Sequence, residues 1–195
     1  FVRAEGLCDG PEERALSLKG RIVATFLAGR WADVGVLASE RTCILSTTAP
    51  SSSGFDEMEL LAAEARLFSA DSAPNTNRLS EIIESTSLSP RTRLRAAVLL
   101  AILADNLFDV PLLKHAFEAS SELLTGSEAD AAVLQLIFHS TLGDRPSAAQ
   151  YLMLVARESL SSSDYTARLF GLRRCAEASL RIGDTRAAAK FSGEA

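Results

Sequence analysis

Residue types able to do chemistry are few in this chain, and they are dispersed. There are two histidines, His115 and His139. Neither has a Cys, Asp or Glu at a spacing that forms a recognisable metal-ligand motif. His139 follows Phe138 on an apolar helical stretch, so it reads as a core or interface histidine. The three cysteines, Cys8, Cys43 and Cys175, are odd in number and widely spaced, with no C-x-x-C among them. Two of them sit inside apolar helical patterns, which suits a reduced, cytoplasmic protein better than a disulfide framework. Cys175, among Leu172, Ala176 and Leu180, reads as a buried structural thiol. No phosphate-binding glycine loop, dinucleotide fingerprint or nucleophile elbow occurs. Serines gather in runs such as Ser51-Ser52-Ser53 and Ser161-Ser162-Ser163. Nothing selects one of them as partner to His115 and an aspartate, and loop solubility with helix capping accounts for them. Asp56, Glu57 and Glu59 fall in the first turn of a helix, where the dipole favours acids. No catalytic residue, cofactor or metal is expected, and no enzyme.

Charge narrows the partners. Twenty basic residues against 25 acidic ones leave a net charge of −5. Grip on nucleic acid rests on phosphate contacts from a basic face, and none is apparent. Arg91, Arg93 and Arg95 alternate across the start of one helix and read as a solvated helix end. No direct contact with nucleic acid is expected. The longest apolar run, Ala96 to Ala104, lies between Arg95 and Asp105. It is too short to span a bilayer, and the first residues carry no apolar signal core, so no membrane role is expected. The 195 residues suit one helical-repeat domain, 1–195. The chain has no initiator Met and stops inside a helical pattern, and on that ground it reads as a fragment of a longer protein.

The elements that must position these residues are helices. Ala and Leu are abundant, Gly and Pro few, and aromatics only 6%, a mix that favours helix. Helices are expected from Pro11 to Gly29, from Trp31 toward Leu45, from about Phe55 to Ala70, and briefly around Leu79, Ile82 and Ile83. Ser89-Pro90 opens a fifth, apolar nearly all round and therefore central. A sixth begins near Asp109. Gly126-Ser127, with Asp130 three residues on from the serine, opens a seventh that Gly143 ends. The eighth runs from Arg145 to Leu160, the ninth from Asp164 to Ile182, and Asp184 caps a tenth. No strand-length alternation appears.

These helices repeat. Gly143-Asp144 is followed by Ala148, Leu152 and Val155; forty positions on, Gly183-Asp184 is followed by Ala188, Ser192 and Ala195. Gly29-Arg30 precedes Val34 and Ala38, and the Leu107–Asp109 turn precedes Leu112, Ala116 and Ala119 without a glycine. A glycine can adopt the left-handed conformation that ends a helix. A small residue five positions later lets two helices approach closely. The chain resembles the tetratricopeptide family, in which a Gly-Asp turn precedes an Ala-rich second helix. The likeness is clearest over Ala129–Ala156 and Leu169–Ala195 and weaker over Leu16–Ile44. His139 and Ser179 stand where that family usually has Tyr. The spacing near forty looks more like the divergent arrays of large bacterial LuxR/MalT-type transcriptional regulators.

The resemblance implies an all-α, right-handed solenoid of about five antiparallel helix pairs. It implies a non-catalytic scaffold that binds a protein or peptide in a concave groove lined by first helices. The groove positions it suggests are Asp130, Ile137, Arg173, Glu177 and Arg181. The alternative it carries is a ligand- or partner-sensing segment of a transcriptional regulator whose DNA-binding domain lies outside this chain. Ala187, Ala188, Ala189 and Phe191 are expected to form an exposed apolar set that further helices fill in the longer protein and that offers this chain a route to self-association through its carboxyl end.

Overall fold

The computed structural model describes residues 10–48, 57–69, 75–124 and 129–194. Cys8, Asp56, the Gly126-Ser127 pair and Ala195 lie outside the described residues. Among those described there are ten α-helices, one short 3-10 turn and no strand, so the all-α expectation holds. The chain divides into two compact units, Phe1–Asn75 and Thr76–Ala195.

The first unit contains α1 (Pro11–Leu27), α2 (Trp31–Thr48) and α3 (Glu57–Phe68). Pro11 begins α1, followed by Glu12 and Glu13; a proline there gives up no helical hydrogen bond, and acids favour the positive end. Gly29 ends the turn at φ 71, and the Arg30 N–H donates back to the Thr25 carbonyl at 3.1 Å. That bond satisfies one of the carbonyls a helix end leaves open. Leu18, Ile22 and Phe26 of α1, Val34 and Leu37 of α2, and Met58, Ala62 and Ala65 of α3 form one core. Trp31 and Phe68 close it, their ring centroids 4.9 Å apart.

The second unit holds α4 (Thr76–Glu84), α5 (Pro90–Asn106), α6 (Val110–Ala119), the 3-10 turn Ser121–Leu123, α7 (Ala129–Leu142), α8 (Arg145–Ser161), α9 (Tyr165–Ile182) and α10 (Thr185–Glu194). The Ser89 hydroxyl caps α5 by accepting from the Thr92 N–H at 3.1 Å. Every residue of α5 from Ala96 to Asp105 is buried, which makes it the central helix its apolar sequence predicts. It packs against α4, α6 and α7; α7 packs in turn on α8 and α9, and α9 on α8 and α10.

Three turns of this unit are built alike. The N–H groups of Asp109, Asp144 and Asp184 donate to the carbonyls of Ala104, His139 and Ser179 at 2.8, 2.9 and 2.8 Å. The same three aspartate side chains then cap α6, α8 and α10, accepting from Leu112, Ser147 and Ala187. Each such cap is worth about 1 kcal/mol. Gly143 and Gly183 take the left-handed conformation, and Phe108 takes it in the turn without a glycine, at φ 56. The seam between α8 and α9 is close at Gly171. A Cβ there would stand 1.9 Å from the Ser159 hydroxyl and 3.0 Å from its Cβ.

Candidate interaction surface

The polar side chains of α5, α7 and α9 form cross-links between these helices. Near the amino ends, Arg95 of α5 donates to Asp130 of α7 at 3.0 Å. The same guanidinium lies 4.4 Å from the ring centroid of Phe170 on α9, within cation–π range. Near the carboxyl ends, the Asp105 carboxylate of α5 is 3% exposed. It accepts from the Thr141 hydroxyl of α7 at 2.7 Å and from Arg181 of α9. Arg181 also donates to Thr141 at 3.2 Å. A buried carboxylate is tolerable only when it is paired and hydrogen-bonded in this way.

Between the two ends lies Arg174, whose side chain is 3% exposed. Its Nη2 donates to Glu177 at 3.0 Å. Its Nη1 sits 2.7 Å from the other Glu177 oxygen, close enough for ion pairing but off line for a hydrogen bond, and its Nε has no acceptor. Burial lowers the Arg174 pKa, against which Glu177 and Asp105 pull it back up; the group stays charged because arginine titrates so high. Arg173 shares the same carboxylate, donating from Nε at 3.1 Å.

Comparison with family models, with curated proteins and with solved structures returned no match. What this surface can do therefore rests on its own residues.

The positions expected to line a groove divide into three kinds. Ile137 is 3% exposed and belongs to the core, so it meets no partner on the surface. Asp130 and Arg181 are brought together with α5, but as braces to Arg95 and Asp105. Arg173 and Glu177 remain on the solvent side, their side chains 50% and 32% exposed. The three arginines expected at a solvated helix end also divide. Arg91 is exposed, whereas Arg93, 11% exposed, donates to the Ile83 carbonyl and to Glu122, and Arg95 braces α7. The missed residues are Arg95, Asp105, Phe170 and Arg174. A signal for them exists in the spacing: 95, 130 and 170, then 105, 141 and 181, recur at nearly the same period as the turns.

The two histidines make contacts between side chains of the fold. His139 lies 2.9 Å from Asp144 through Nδ1 and 3.2 Å from Gln135 through Nε2. Its ring stacks on Tyr151 at 5.6 Å, so it joins α7 to α8 as an interface histidine. His115 lies 3.2 Å from the Ser80 hydroxyl. Burial pushes the Cys175 thiol up to about 12, so it stays protonated at neutral pH. Cys43 is exposed. Among the described residues no three His, Cys, Asp or Glu side chains group as metal ligands, and no helix is long and apolar enough to cross a membrane.

The apolar set expected at the carboxyl end is also split. Ala188 and Phe191 are buried at 4% and 8% exposure; Ala187 is half-buried and only Ala189 is exposed. Phe191 packs inward because α10 lies against α9, which removes the largest member from any exposed patch.

Proposed function

We propose that this chain is a non-catalytic, tetratricopeptide-like scaffold that binds a protein partner. In its second unit the helices pair as α5–α6, α7–α8 and α9–α10, stacked as a right-handed solenoid. The single observation that supports this most is the recurrence of one turn, with the same backbone bond and the same aspartate cap, at Asp109, Asp144 and Asp184. Turns that short between packed helices make each pair antiparallel. Repeats of this kind cannot bury their apolar faces singly, so neighbours stack, and the faces left over serve for binding. Within that unit His139 and Asp144 join neighbouring helices, Asp144 caps α8, and Cys175 is buried.

The test is affinity capture from a cell extract, followed by reconstitution with the purified captured protein. Wild type is compared with Arg173→Gln, a change at an exposed position that removes the charge without setting a second carboxylate beside Glu177 and should leave melting nearly unaltered. A reconstituted complex weakened by that change supports the scaffold. If no protein reconstitutes and a small molecule raises the melting temperature, the scaffold reading falls and a ligand-sensing one replaces it. Arg181 is unsuitable for this purpose, because reversing its charge would set two carboxylates against each other at buried Asp105.

A further inference from the structure

We draw no further inference here: the strongest candidate, the apolar edge where the turn after α5 exposes Leu107 and Phe108 and the turn after α7 exposes Leu142, carries nothing because nothing in the structure shows what covers it.

Discussion

Individual residues at the turns make the sharpest stability test. Gly143 and Gly183 occupy a left-handed conformation that costs them nothing, whereas Phe108 holds the same conformation with a side chain that is 90% exposed. For a residue other than glycine that conformation costs roughly 1–2 kcal/mol, and an exposed ring recovers none of it by packing. Gly143→Ala should therefore lose roughly 1 kcal/mol. Phe108→Gly should hold or gain stability, since relief of strain offsets the added freedom of the unfolded chain. Chemical denaturation measures both, and a marked loss in Phe108→Gly would contradict the strain argument. Asp144 makes a pH prediction. Its carboxyl is held below the usual value, first by its hydrogen bonds with Ser147, side chain and backbone, with His139 adding in the same direction. A depressed folded pKa means that the stabilisation is present above the unfolded value and is lost as pH falls through the folded one. Melting temperature should thus decline below about pH 4. Asp144→Asn, which keeps the cap but removes the charge, should flatten that decline.

Elements were largely legible in the sequence because their boundaries are written in local chemistry. Ser89-Pro90, Gly143-Asp144 and Gly183-Asp184 each stop or start a helix for a backbone reason, and the structure places α5, α8 and α10 accordingly. The side-chain roles were less legible. Whether Arg93 is a solvated helix end or a brace depends on Ile83 and Glu122, which local periodicity does not bring near it. Ile137 looked like a groove residue by its place in the repeat, but α5, α8 and α9 all pack on its helix. Small residues at the seams were readable, and they carry a prediction. Ala148 and Ala188 are 0% and 4% exposed. Changing Ala148 to Leu should overpack its seam and cost roughly 1–3 kcal/mol. Gly171→Ala should cost a similar amount, about 1–3 kcal/mol, through its clash with Ser159. Adding Ser159→Ala should recover part of that loss by removing the nearer hydroxyl. If Gly171→Ala melts as wild type, α8 and α9 do not approach as described.

At the scale of the whole molecule, the central claim concerns stacked, matched helix pairs in the second unit. The scaffold reading depends on it. Asp105 pairs with Arg181, joining α5 to α9 across 76 residues, with Thr141 of α7 between them. Only if α5, α7 and α9 lie side by side in this alignment can those three side chains meet. The decisive measurement is a double-mutant cycle on this pair, Asp105→Ala and Arg181→Ala singly and together, by denaturant unfolding. Arg181→Ala alone should cost roughly 3 kcal/mol, because it leaves the Asp105 carboxylate buried without its cation. The double variant should cost less than the two singles combined, by a coupling of about 1–3 kcal/mol. Losses that add to within about 0.5 kcal/mol would mean that the two residues do not meet, and would contradict the stacked arrangement.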